Sequence, residues 1–260
     1  MATSPARAQT PAGPEDAADP DDTEAVTMPT VKLALPPEEK IADPDVSLLV
    51  ILSSQYRAKG LSQTQNRPAV LMVLDVASSS GFYVGGFIAN VKLAGIDTRA
   101  EINYQAGYRF KRGRFSADTR ALFVDYPDYG KLPNGRRINY FEVRSVVRYD
   151  AKPAALALSY WFSPNFVGES GKSHYAEGVA AYTTKSGFTV SALAGRNWIE
   201  KPERFGFPTW WNWSLTVSHP LPAKLVGSVG VIGTDIARRE CGGGQNICST
   251  RIFGSVSHRF

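Results

Sequence analysis

Residues able to do chemistry are few in this chain, and their spacing argues against most of it. Only three histidines occur, His174, His219 and His258. A Ser–His pair supports nucleophilic hydrolysis when hydroxyl and imidazole converge and a third group orients the ring. Ser173 and His174 are sequence neighbours, so on a strand they point to opposite faces. His219 precedes Pro220 in a short turn, and His258 sits two residues from the end. Glu142 and Asp118 suggest an acid pair, but each has arginine neighbours, which favours ion pairing. Gly85-Gly86 and the glycines at 242–244 precede no helical pattern, so they are not phosphate cradles. No catalytic set, cofactor or metal is expected, and the chain does not read as an enzyme.

Cys241 and Cys248 flank six residues rich in glycine. That spacing allows a small disulfide loop, which persists in an oxidising compartment such as the periplasm or cell surface. Two free thiols are the alternative. No histidine or further cysteine lies nearby to complete a metal set.

Charge is unevenly spread. Residues 1–45 hold ten Asp/Glu against Arg7, Lys32 and Lys40, a net of −7, while the whole chain carries +5. The remaining residues are therefore net basic at +12. Their lysines and arginines are scattered rather than clustered on a helix or motif, so no nucleic-acid partner is expected. Residues 1–45 also hold eight of the 17 prolines and lack apolar periodicity, which predicts a disordered tail. Ala6-Arg7-Ala8 before Gln9 resembles the small-residue end of a signal cleavage site, so residues 1–8 read either as the remnant of a signal region or as a coincidental Ala-rich stretch.

No stretch of 18 apolar residues occurs, which leaves a closed barrel as the way for this chain to cross a bilayer. From Val46 onward the apolar pattern has period two. Ile102, Tyr104, Ala106, Tyr108 and Phe110 share one face of a strand; Glu101, Asn103, Gln105, Gly107 and Arg109 share the other. Trp211, Trp213, Leu215 and Val217 likewise oppose Asn212, Ser214, Thr216 and Ser218. Twelve strands are predicted, at 46–57, 68–78, 82–92, 99–110, 114–125, 138–149, 153–162, 174–184, 188–198, 210–218, 224–235 and 249–260. Short connections after the even strands alternate with mostly longer ones after the odd strands, the short 93–98 connection excepted, which is the layout of an outer-membrane barrel with short periplasmic turns and long extracellular loops. The predicted domains are thus a tail at 1–45 and a transmembrane β-barrel at 46–260.

On that fold the charged face turns to a watery lumen and the aromatic face to lipid. Glu101, Asn103, Gln105, Arg109, Asp118, Arg120, Glu142, Arg144 and Arg148 are the expected pore lining. Tyr83, Tyr104, Tyr108, Tyr126, Tyr160, Trp161, Trp198, Trp210 and Trp211 fall mostly toward strand ends, where aromatic girdles belong. The terminal Phe260 closes an alternating strand, a signal that outer-membrane proteins present to the barrel insertion machinery.

Tyr56-Arg57-Ala58-Lys59-Gly60-Leu61-Ser62-Gln63-Thr64, with Pro68-Ala69 beyond it, resembles the opening motif of the TorF-type porins, bacterial outer-membrane proteins. The likeness continues through Ser79 to Gly85, Glu101 to Gly107, Tyr126-Pro127, Asn139 to Glu142 and Tyr160 to Pro164. It implies outer-membrane localisation and a pore. The acidic tail and the Cys241/Cys248 loop depart from it. In the first long connection, Arg57, Lys59, Gln63, Thr64 and Asn66 are candidates for a constriction, either folded inward to narrow the pore or turned outward to solvent. The expected function is passive diffusion of small hydrophilic solutes with a mild anion preference, since arginines line the wall. Partners are outer-membrane lipid, the insertion machinery and the solutes; nothing in the sequence indicates an oligomeric state. Alternatives are a non-conducting structural or adhesive barrel and an outer-membrane lipid-modifying enzyme.

Overall fold

The computed structural model describes residues 44–260 apart from 94, 128–131 and 133. The predicted tail and the segment 1–8 lie outside the described residues, Pro44 and Asp45 excepted.

The chain runs through β1 (Asp45–Ser53), β2 (Arg57–Ala58), β3 (Leu61–Ser62), β4 (Ala69–Ala77), β5 (Phe82–Asn90), β6 (Ala100–Arg112) and β7 (Phe115–Asp125). It continues through β8 (Tyr140–Ala151), β9 (Ala154–Ser163), β10 (Ser173–Thr183), β11 (Thr189–Ile199), β12 (Trp210–Leu221), β13 (Leu225–Thr234) and β14 (Arg251–Arg259). β2 and β3 form a small separate hairpin; the other twelve strands form one closed antiparallel barrel. Closure comes from β1 pairing β14, from Leu49↔Arg259 to Ser53↔Ser255, so no edge strand is left unpaired. A four-residue helix, α1 (Pro202–Phe205), sits in the loop before β12. Among the described residues no helix is long and apolar enough to cross a membrane.

The strand count and antiparallel order agree with the sequence reading, but the first strand does not. It stops at Ser53 rather than running to residue 57. The Ser53 hydroxyl donates to the Gln55 carbonyl at 2.8 Å, and the chain turns into the barrel there.

The wall is inside out compared with a soluble core. On β9 and β14, Leu158 and Ile252 are 70% and 78% exposed, while Asp118 on β7 and Glu142 on β8 are 0% and 1% exposed. Period-two alternation drives this on every strand: on β6 Glu101 and Gln105 are buried, while Tyr104, Tyr108 and Phe110 stand outside. The loops are sorted by rim. Residues 78–81, 113–114, 152–153, 184–188 and 222–224 make short turns at one end; 54–68, 91–99, 126–139, 164–172, 200–209 and 235–250 make long loops at the other.

The expected aromatic girdle needs correction. Tyr104, Tyr108, Tyr160, Trp198 and Trp211 are exposed on the outer face. Tyr83, Tyr126 and Trp210 are buried, and Trp161 lies between the Lys59 ammonium and the Arg144 guanidinium. Tyr83 turns inward because its cross-strand partner is Gly107; a Cβ there would lie 2.7 Å from the phenol. A ring over an opposed glycine fills the missing side chain's space.

Candidate functional site

The first long connection, residues 54–68, folds into the lumen and crosses it. On one side Tyr56 packs on Phe87 of β5 and its hydroxyl donates to Glu101 Oε1 at 3.1 Å. On the other, the tip of the β2–β3 hairpin reaches β8, β12 and β13. Lys59 Nζ stands 2.6 Å from Glu142 Oε1, and the Trp210 indole N–H donates to the Lys59 carbonyl at 2.8 Å. The ammonium also lies 4.9–5.3 Å from the rings of Phe166, Trp161 and Tyr175, a partly aromatic cage for a cation. Gly60 has φ +86°, and a Cβ there would sit 2.6 Å from Thr234 and 2.7 Å from Asn212. Only glycine gives this turn both the positive φ and the close approach to the wall.

The hairpin is internally bonded as well as latched. Arg57 donates to Gln55 Oε1, the Gly60 carbonyl and Asn66 Oδ1 at 2.8–2.9 Å. Burial, and after it the charge of Arg251, lowers the Arg57 pKa to about 10, so it stays charged at neutral pH. Thr64 Oγ1 accepts from the Tyr56 amide at 3.2 Å and donates to the Arg67 carbonyl at 2.7 Å. The Gln63 carbonyl accepts from the Lys92 amide, and Asn66 Nδ2 donates to the Asn246 carbonyl. Asn246 belongs to the loop closed by the Cys241–Cys248 disulfide. The Ser62 amide bonds Ile247 in the same loop, and Leu61 packs with both cysteines, Ile247 and Trp210.

Below the hairpin the inner wall divides into three sectors. An apolar one holds Ile51, Leu71, Val73, Phe87, Leu122 and Val124, with Tyr56 over it. A charged one runs over β4 and β6 to β10. There Arg109 bonds Asp75 at 2.5 Å and Asp118 at 3.3 Å, with its guanidinium 3.8 Å from the Tyr83 ring. Arg120 lies 3.3 Å from Asp118 and donates to Gln105 Oε1 at 2.9 Å; Gln105 in turn donates to Asp75 at 2.8 Å. Tyr83 donates to Asp118 at 2.7 Å, and Tyr175 to Glu177 at 2.7 Å. The third sector, over β11 to β14 and β1, is lined largely by hydroxyl side chains.

The predicted lining residues fall as follows. Glu101, Gln105, Asp118, Arg120, Glu142 and Arg144 are buried inside the barrel. Asn103 and Arg109 are half-buried and inward: Asn103 donates to Glu101 Oε1 at 3.0 Å. Arg148 stands apart near the short-turn rim, paired with Asp150 at 2.6 Å. Asp75, Tyr175 and Glu177 also line the bore, though the sequence did not single them out, and Tyr83, Trp161 and Trp210, expected in the girdle, join them there. Asp75 had a signal, as a lone acid in phase with Leu71 and Val73. Ser173 faces inward and bonds Asn197 at 3.5 Å, while the His174 ring bonds Tyr160 Oη at 2.5 Å. Among the described residues no group of three or more His, Cys, Asp or Glu could hold a metal.

A closed, inside-out antiparallel barrel of twelve strands with a loop hairpin in its bore is a porin-like fold. It is similar to the KdgM porin, with a TM-score of 0.55 and 12% identity over 82% of this chain and 99% of that one. The KdgM porin in complex with disordered oligogalacturonate gives 0.54 and 13% over the same shares. The NanC porin in a rhombohedral crystal form gives 0.52 and 11% over 81% of this chain and 97% of that one. At such identities the likeness concerns the fold. The family profile of a bacterial protein of unknown function, Gcw_chp, matches residues 39–257, and the chain belongs to that family. No curated protein matches it by sequence.

Proposed function

We propose that this protein is an integral outer-membrane channel for small hydrophilic solutes, held in a constricted state by the latched β2–β3 hairpin. The observation that carries the reading is the hairpin itself: a polar segment pinned across the bore of a barrel whose exterior is apolar. A wall of exposed Leu, Val, Ile and aromatic side chains matches a hydrocarbon surround, and closure pairs the strand backbones that lipid cannot satisfy. The resemblance to TorF-type porins and the KdgM-like fold support the same reading, as does oligogalacturonate as the ligand of one fold relative. Exposed Phe260, directly after β14, fits a contact for the insertion machinery. Ion preference is toward anions, as arginines on a pore wall favour, and it is mild because Arg109 and Arg120 already face Asp75 and Asp118.

A second reading, a non-conducting barrel serving envelope structure or adhesion, is favoured by the burial of the charged side chains of the bore, Asp118, Arg120, Glu142 and Arg144 all being more than nine-tenths buried. A lipid-modifying enzyme is least favoured, since Ser173 and His174 stand on opposite faces of β10. Fractionation with flux assays separates these. The channel reading expects detergent-extractable, heat-modifiable protein that releases small ions from proteoliposomes. Tight vesicles with both wild type and a hairpin-released variant would leave the structural reading standing.

A further inference from the structure

The charged and hydroxyl-lined halves of the bore differ in a way that packing alone does not explain. Thr189, Ser218, Ser228, Ser255 and Ser53 are successive cross-strand partners on β11, β12, β13, β14 and β1, so one row of hydroxyls runs around five strands. Ser191 and Thr216 pair directly beside it. All seven are more than nine-tenths buried. The hydroxyls of Ser191, Thr216, Ser218, Ser228 and Ser255 make no hydrogen bond to any protein group, and nor does that of Ser214 one step nearer the long-loop rim. Between Arg251 at one rim and Arg259 and Asp45 at the other, the inward positions of these strands carry no charge.

Alanine would fill the same space without leaving a buried hydroxyl unsatisfied, which costs roughly 1–3 kcal/mol per group. A row of such groups makes sense on a wall that is wetted or occupied in a working state. Each hydroxyl both donates and accepts, so adjacent ones can pass a polyol from one bonding set to the next without an ionic trap. The hairpin stands over the long-loop end of this wall, with Gly60 against Asn212 and Thr234, so its displacement opens the wall from that end.

We infer that the β11–β14 and β1 wall is the solute path, and that it takes uncharged polyhydroxylated solutes such as small sugars and sugar alcohols. This rests on the channel reading above. The test is osmotic swelling of proteoliposomes with ribose or ribitol, alongside potassium chloride conductance. It uses the wild type, a latch-released Glu142→Gln variant, and each of these carrying Ser218→Ala, Ser228→Ala and Ser255→Ala together. Alanine preserves the space and removes only the hydroxyls; isosteric Thr216→Val serves as a second probe should the triple variant not fold. Sugar influx is expected to fall about tenfold on removing the hydroxyls, with ion conductance nearly unchanged. Sugar influx unchanged by these substitutions, or gluconate passing faster than neutral sugars of its size, would overturn the inference while leaving the channel intact. Absence of both ion and sugar flux, even in Glu142→Gln, would remove the channel reading itself and the inference with it.

Discussion

The indole N–H of Trp210, at the start of β12, donates to the main-chain carbonyl of Lys59, 151 residues earlier in the chain. A buried wall side chain thereby holds the tip of a loop by its backbone. Replacing Trp210 with Phe keeps an aromatic side chain there and removes the bond, which alone is worth about 1 kcal/mol. Trypsin should then cut after Lys59 faster than in the wild type, where the lysine side chain is 8% exposed. Equal cleavage rates would mean that the indole does not hold the tip.

The Cys241–Cys248 loop supports the hairpin through Ile247, whose carbonyl accepts from the Ser62 amide at 2.9 Å. Closing so short a loop contributes on the order of 2 kcal/mol. The Cys241→Ser/Cys248→Ser variant should melt at lower temperature and exchange the Ser62 amide faster, while barrel-strand amides keep their protection. Hydrogen exchange read by mass spectrometry checks both.

Leu158 lies midway along β9, 70% exposed, beside Gly178 and Val147 on the neighbouring strands. If the exterior meets hydrocarbon, Leu158→Arg should destabilise the barrel in phospholipid vesicles by about 2–4 kcal/mol. Urea titration in vesicles gives the value. A change near zero would place that surface in water.

Asp118 is fully buried and faces Tyr83, Arg109 and Arg120. Asp118→Ala takes the carboxylate away from the buried Arg120 and leaves Arg109 bonded to Asp75 alone, a loss of about 3–5 kcal/mol. Asp118→Asn keeps the volume and one acceptor oxygen, so its loss should be smaller. The same titration ranks the two; an alanine variant as stable as the wild type would show that the bore hydrates those arginines freely.

Strand number, strand order and rim sorting were legible because period-two alternation is local: Glu101 to Phe110 carries its two faces within ten residues. The inward turn at Ser53 was not, since alternation allows the strand to run on through Tyr56. What stops it is the apolar patch of Leu71, Val73 and Phe87 on other strands, which receives the Tyr56 ring. The inward aromatics were hidden for the same reason. Tyr83 can face the bore because Gly107 lies across from it, and Trp210 because a loop carbonyl waits there. Single acids and arginines on strands β6 to β8 announced their face by phase alone. Their partners did not, as the Arg109–Asp75 pair joins residues 34 apart.

The most direct measurement is planar-bilayer recording of the wild type beside Glu142→Gln and Lys59→Met. The latch account predicts small, mostly closed wild-type conductance, and in both variants longer openings of larger conductance, since each removes one end of the 2.6 Å ion pair that holds the hairpin across the bore. Identical traces from all three proteins, whether uniformly silent or uniformly open, would contradict it.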